Sequence, residues 1–354
     1  MSLLTRTELQ AWLAEHPGPT GPALAGAGLV APHWPAPWGL DADPTEQLMI
    51  AEELHRAAVA LPSNPIGIGW AGPTIVAGGT PQQQQRWLPG ILDGSMFFCQ
   101  LFSEPGAGSD LAGLTTRAER DGDTYVVTGQ KIWSTWADHA DWGILLARTD
   151  PTVAKQKGIT YFVVDMRSAG IEVRPIRDMT GLHHFNEVFL TDVSIPADQR
   201  IGAEGDGWRL AKVTLANERV SLSEGGVLWG MGPTSAAFMA GLPPIHDPVI
   251  RQRAAGVYTA TLVQQRLRDR ILAARQRGED AGGDASIKKT LADVHGQHVM
   301  ALAKDIRGTA GMLAEPDDEE WGYLFSRALT IGGGTSEVQR NIIGERLLGL
   351  PRDP

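Results

Sequence analysis

The sequence predicts a mostly α chain with a β-domain in its middle. Three observations carry that expectation. Apolar residues recur with a helical period from Leu3 to about Met96, with a period of two from Phe97 to about Ile195, and with a helical period again from about Gly205 to the end. The 354 residues, 42% of them hydrophobic, are enough for two or three domains. The boundaries expected from the changes of period are 1–96, 97–204 and 205–354.

In the first zone, helical segments such as Thr45 to Ala58 and Pro81 to Leu92 alternate with Pro- and Gly-rich connectors, APHWPAPWG and LPSNPIGIGWAG. Asp43 and Pro44 read as an N-cap and first helical residue, and the helix after them is expected to place Leu48, Ala51 and Leu54 on one face. In the second zone short apolar or alternating runs are expected as strands: Phe97 to Phe102, Leu114 to Glu119, Thr124 to Thr128, Trp142 to Arg148, Thr160 to Val164, Ile171 to Pro175 and Glu187 to Leu190. Their spacing predicts a small antiparallel barrel or sandwich, without the βαβ rhythm of a nucleotide-binding sheet. In the third zone long helical stretches, Trp208 to Leu222, Asp247 to Arg277 and Ile287 to Leu313, predict an antiparallel bundle. The Gly- and Pro-rich break GMGPTSAAFMAGLPPIHDP within it is expected to be a connector.

Charge and cysteine content narrow the function. With 31 Lys and Arg against 41 Asp and Glu, the net charge of −10 argues against general nucleic-acid binding, which needs clustered cations. The one cysteine, Cys99, excludes an intrachain disulfide, and no Cys/His cluster has zinc-ligand spacing, so no metal site is expected. The N-terminal MSLLTRTELQAWLAEH lacks the apolar core of a signal peptide, and no stretch approaches a membrane span. A cytoplasmic location, with no membrane partner, is therefore expected.

Four segments could carry chemistry. The loop Ser103-Glu104-Pro105-Gly106-Ala107-Gly108-Ser109-Asp110 follows a strand, but Leu111 stands where a dinucleotide fingerprint needs Gly, and a phosphate loop's Lys is missing. Alone it reads as a surface turn, although Ser103, Ser109 and the N–H groups of Gly108 and Ser109 suit a flat heterocycle. Alternation in Gly129-Gln130-Lys131-Ile132-Trp133-Ser134-Thr135-Trp136 puts Trp133 and Thr135 on the same face, an arrangement that inter-strand packing would explain equally well. On the helix from Trp208, Ala211, Leu215, Glu218 and Leu222 form one stripe, so a carboxylate interrupts an apolar face. Such a group either pairs with a cation or is driven toward the neutral form, as a general base needs. Finally, Gly332-Gly333-Gly334 precedes a helix that Thr335 can cap, in a run that continues through Ser336 and Glu337 to Arg340.

These segments, in this order, resemble the acyl-CoA dehydrogenase flavoprotein family. The resemblance covers most of the chain from about Gly28 and is most specific in QLFSEPGAGSDLAG from Gln100. It is reinforced by GQKIWST from Gly129, NEVFLTDVSIP from Asn186 and GGTSEVQRNIIGER from Gly333. It implies an N-terminal helical domain, a middle antiparallel β-barrel and a C-terminal four-helix bundle, with FAD as cofactor. Residue by residue, Phe102, Ser103, Gly108 and Ser109 would meet the flavin or the thioester end of the substrate. Trp133 would flank the ring, Thr135 would bond near its N5, and Thr335 and Glu337 would approach the phosphate and adenosine side.

Many family members carry their catalytic Glu where this chain has Gly333. A bacterial minority places it in a Glu-Arg dipeptide on the first C-terminal helix, here Glu218-Arg219. The resemblance thus implies that Glu218 removes the α-proton of an acyl-CoA while the β-hydrogen leaves as hydride. A backbone N–H near Gly333 would help polarise the thioester, with Ser109 and Arg219 toward the substrate. The product would be a trans-2-enoyl-CoA, with electrons passed to an electron-transfer flavoprotein. The Arg-x-x-Phe-Gly segment that reaches a neighbouring subunit's FAD is missing; Asp247 to Arg253 reads DPVIRQR instead. This departure keeps two assemblies in view, a homo-dimer or homo-tetramer and a hetero-oligomer with a second dehydrogenase subunit. It also keeps two alternatives in view, a non-catalytic or half-site subunit of a steroid side-chain type enzyme, and an acyl-CoA oxidase.

Overall fold

The computed structural model describes residues 5–223, 235–276, 282–313 and 318–351. Contacts divide the chain into two compact units, Met1–Asp178 with Leu182–Asn217, and Met179–Gly181 with Glu218–Pro354. The first unit opens with helices α1 (Arg6–Glu15), α2 (Gly21–Gly26), α3 (Pro44–Arg56), α4 (Gly72–Gly78) and α5 (Pro81–Asp93). Three start with a capping box: Thr5 with Glu8, Asp43 with Glu46, and Thr80 with Gln83. Each box satisfies N–H groups that a helix start leaves open. The face α3 buries differs from the expected one. Ile50 and Leu54, one turn apart, enter the core, whereas Leu48 and Ala51 face solvent. Glu53 is buried beside them because Arg6, Gln10 and Arg56 hold its carboxylate.

Among the described residues eight strands follow: β1 (Phe98–Leu101), β2 (Arg117–Asp121), β3 (Thr124–Thr135), β4 (Trp142–Arg148), β5 (Ile159–Asp165), β6 (Ile171–Ile176), β7 (Phe185–Pro196) and β8 (Arg200–Ile201). They hydrogen-bond into one sheet of order β6-β7-β3-β2-β4-β5-β8, with β1 on β4. Most pairings are antiparallel; β1–β4 and the single-residue β2–β4 contact are parallel. Strand β3 is twelve residues long and does not stop at Thr128. The Gly129-Gln130 pair that reads as a turn is a point of close approach, since a Cβ on Gly129 would stand 2.3 Å from Thr116 Oγ1.

Strands β4 and β5 are buried on both faces, which explains their unbroken apolar runs. Ile144, Leu146, Ile159, Tyr161 and Val163 point into a core shared with the N-terminal helices, including Leu9, Leu24, Ile50 and Trp87. Leu145, Ala147, Phe162 and Val164 point into a second core with Tyr125, Val127 and Ile195. Helix α6 (Gly207–Ser223) begins in the first unit, where Leu210 and Ala211 complete the first core.

The second unit continues through α7 (Ser235–Ala240), α8 (Pro248–Gln276), α9 (Gly282–Ile306), α10 (Asp318–Phe325) and α11 (Ser336–Ile342). Helix α9 packs against α8, α10 and α11, with Val257, Val299, Leu302 and Leu329 in its core. The expected connector thus contains the short helix α7, because SAAFMA between Pro233 and Pro243 has no helix breaker. No helix among the described residues is long and apolar enough to cross a membrane.

Candidate active site

The residues that the sequence singles out fall in both units. In the first unit the loop after β1 is tied to β3. Ile132 N–H donates to Ser103 O at 2.9 Å, and Glu104 and Ala107 exchange backbone hydrogen bonds of 3.1 and 3.0 Å that close a tight turn. Beneath the turn lies a buried ion pair. Lys131 Nζ donates to Glu104 Oε1 at 2.9 Å and to Phe102 O at 3.1 Å. Glu104 also accepts from Thr115 N and Oγ1, both at 2.7 Å, and from Thr116 N at 2.9 Å. Burial pushes the Glu104 carboxyl up, but Lys131 and these donors outweigh it and hold it at about 2. Burial pushes Lys131 down to about 8 against the pull of Glu104, so both are charged at neutral pH.

Phe102 is core: its ring meets Tyr161 edge-on at 5.9 Å, so only its backbone faces the loop. Gly106, Gly108 and Ser109 are exposed, and nothing lies within 4 Å of a Cβ placed on either glycine. Trp133 is 56% exposed. A bulge between Lys131 and Ser134, with Trp133 at φ 61°, turns the indole away from the core while Ser134 points in. Trp133 and Thr135 therefore flank an inward residue and share the outer face, with the indole edge-on to Phe185 at 5.8 Å. An exposed aromatic plane, hydroxyls on Ser109 and Thr135, and open backbone at Gly106 and Gly108 suit a flat ring with polar edges.

Glu218 opens the second unit and is 7% exposed. Along α6 it follows Ala211 and Thr214, both fully buried, and the half-buried Leu215, so the stripe expected from the sequence is present as far as Glu218. The side chains of Arg219 and Leu222 lie outside the described residues. Gly333 and Gly334 have φ of 66° and 92°, a conformation in which any side chain at 333 would be strained. Thr335 caps α11 by accepting from Val338 N, while Gln339, fully buried, donates to Gly333 O at 3.2 Å. Glu337 is exposed and pairs with Arg340 at 3.7 Å.

The sequence reading missed the Lys131–Glu104 pair. A signal for it exists: Tyr125, Val127 and Lys131 alternate inward, and a cation on a core-facing strand position demands an anion. Among the described residues, no cluster of His, Cys, Asp and Glu could hold a metal ion.

Family models match three consecutive stretches of the chain: acyl-CoA dehydrogenase N-terminal domain over residues 6–95, middle domain over 99–193 and C-terminal domain over 205–348. The chain is 44% identical to acyl-CoA dehydrogenase FadE34 of Mycobacterium tuberculosis, covering 93% of this chain and 46% of that protein, about half its length. It is 41% identical to acyl-CoA dehydrogenase IpdE1 of the same organism, covering 93% and 87%. Its fold is similar to the solved structure of the Tcur3481-Tcur3483 steroid ACAD, with a TM-score of 0.80 and 29% identity over 98% and 97% of the two chains.

Proposed function

This chain belongs to the acyl-CoA dehydrogenase family, and from that premise we propose that it converts an acyl-CoA thioester to a trans-2-enoyl-CoA with FAD and an electron-transfer flavoprotein. Members of the family are FAD flavoproteins, and the exposed Trp133 plane, the Thr135 hydroxyl on its face of β3 and the open glycines of the loop after β1 support the same cofactor here. Trp133 and Thr135 would hold the ring, with Ser103, Gly108, Ser109 and the Phe102 backbone at its edge. Thr335 and Glu337 would serve the phosphate and adenosine side. The proposed division of labour follows domains 1–96, 97–204 and 205–354. FAD, when bound, accepts the β-hydrogen as hydride.

The observation that carries the reading is Glu218, a carboxylate buried on the face of α6 that also buries Ala211 and Thr214. A carboxylate in a buried position can meet a weakly acidic C–H without competition from bulk water. Glu218 would take the α-proton, and a backbone N–H near Gly333 would stabilise charge developing on the thioester oxygen. Ser109 and Arg219 would bind the substrate. Glu218→Gln should retain flavin and lose its bleaching by acyl-CoA in anaerobic titration. Unchanged bleaching would overturn the assignment of the base.

One observation favours a second reading, that of a half-site or non-catalytic subunit in a hetero-oligomer. In the stretch that replaces Arg-x-x-Phe-Gly, the exposed Arg253 is already paired with Asp305 of the same unit. The similar Tcur3481-Tcur3483 steroid ACAD carries two designations, which supports a paired assembly and a steroid-type acyl chain. A visible spectrum of the chain alone, then mixed with a second dehydrogenase subunit, separates the two readings. Flavin absorbance in the isolated chain favours the homo-oligomer. Rapid reoxidation of reduced enzyme by oxygen would instead mark an oxidase.

A further inference from the structure

Three side-chain hydroxyls meet inside the first core, where the surrounding residues are apolar. Thr214 Oγ1 on α6 lies 2.8 Å from Thr74 Oγ1 on α4 and 3.1 Å from Tyr161 OH on β5. Thr74 donates to Trp70 O at 2.9 Å, and Thr214 is 3.3 Å from Leu210 O. All three side chains are fully buried, among Ile75, Leu210 and Ala211.

Each hydroxyl has one proton to give, and either atom of the Thr74–Thr214 and Thr214–Tyr161 pairs can be the donor. The carbonyls of Trp70 and Leu210 accept at the helical ends of the network, Trp70 O from Thr74 and Leu210 O from Thr214. Tyr161, Thr214 and Thr74 thus form a hydroxyl relay that ends on backbone acceptors. Three elements from distant parts of the sequence are thereby locked at one point. A valine at 214 would fill the same volume, so packing alone does not account for the hydroxyls. Hydrogen bonds, unlike apolar contacts, are directional, and they resist rotation of α6 about its axis.

Thr214 sits four residues before Glu218, one turn away on the same side of α6. We propose that Thr214, held by Thr74 and Tyr161, is a positioning residue that sets the direction in which Glu218 leaves the helix. At a helix radius of about 6 Å, a rotation of about 10° moves a side chain by about 1 Å. A displacement of that size costs on the order of 100-fold in rate when the displaced group must meet one C–H bond. This proposal rests on Glu218 being the base.

The test compares Thr214→Val, which keeps the shape and removes the hydroxyl, with Thr214→Ser, which keeps the hydroxyl. Tyr161→Phe provides a milder break of the same relay should the valine variant fold poorly. The expected result is a kcat of Thr214→Val lowered by about 10- to 100-fold with KM and flavin content unchanged. Thr214→Ser should restore most of it, and Tyr161→Phe should fall in between. The acidic limb of the kcat–pH profile should shift in Thr214→Val and return in Thr214→Ser. A readout independent of turnover is amide hydrogen exchange along residues 210–218, expected to quicken in Thr214→Val while α5 is unchanged. An unchanged kcat and pH limb in Thr214→Val, or an equal loss in Thr214→Ser, overturns the proposal. Glu218→Gln, assayed for substrate bleaching beside these variants, tells the two failures apart. Bleaching retained in Glu218→Gln removes the base itself, whereas bleaching lost there with a normal Thr214→Val removes only the positioning role.

Discussion

Lys131 and Glu104 form a buried pair in which neither residue can be changed alone without leaving the other stranded. Glu104→Gln keeps the shape but leaves an ammonium facing an amide, and should destabilise the first unit by about 3 to 5 kcal/mol. The pH dependence has a definite sign. The folded chain holds the Glu104 carboxyl at about 2, below its ordinary value, so its contribution is complete above the ordinary carboxylate range. That contribution is lost as pH falls from about 5 toward 2, because the unfolded chain takes up the proton first. The melting-temperature gap between wild type and Glu104→Gln should therefore narrow between pH 7 and about 3.5. A constant gap would mean that the pair contributes no charge-dependent stability. The burial of Glu218 was legible in the sequence because the helical period is local, and the eight residues from Ala211 were enough to put a carboxylate on the buried face. Thr214 on the same helix was not, since its partners Thr74 and Tyr161 lie 140 and 53 positions away.

Strand β3 shows why elements were easier to detect than to delimit. Its first five residues alternate and are legible; the remainder reads as a turn and a separate motif because Gly129-Gln130 carries turn chemistry. The glycine serves instead to let β3 pass close to Thr116, whose Oγ1 and Cα would stand 2.3 and 2.7 Å from an added Cβ. Gly129→Ala should thus cost about 1 to 3 kcal/mol through overpacking against backbone that cannot swing away. Thermal unfolding checks this, and an unchanged midpoint would show that β2 yields. The same locality explains α3. Leu48, Ala51 and Leu54 are compatible with one helical face, but Ile50 and Leu54 are the pair that the rest of the chain covers. Period states that a face exists; only tertiary partners decide which apolar residues it includes. By contrast, β4 and β5 were legible nearly to the residue, because burial on both faces leaves no polar position to blur the run.

At the scale of the whole molecule, one apolar core joins residues far apart in sequence. Leu9, Leu24, Ile50, Trp87, Ile144, Tyr161, Ile201, Leu210 and Ala211 belong to one cluster. Gln83 reinforces it by donating to Asp198 O and Arg200 O, both at 2.7 Å. The helical segment 1–96 should accordingly lack a cooperative melting transition when produced alone, whereas 1–217 should show one. A cooperative transition in the short fragment would mean that its helices close a core of their own. For a chain leaving the ribosome, the arrangement sets a schedule. Leu9, Leu24, Ile50 and Trp87 are made well before β4 and β5 and before the stretch from Ile201 to Ala211, and their core is complete only when that last stretch has been translated. Until then the nascent protein presents sticky helices, and a holding chaperone that shields them would raise its yield.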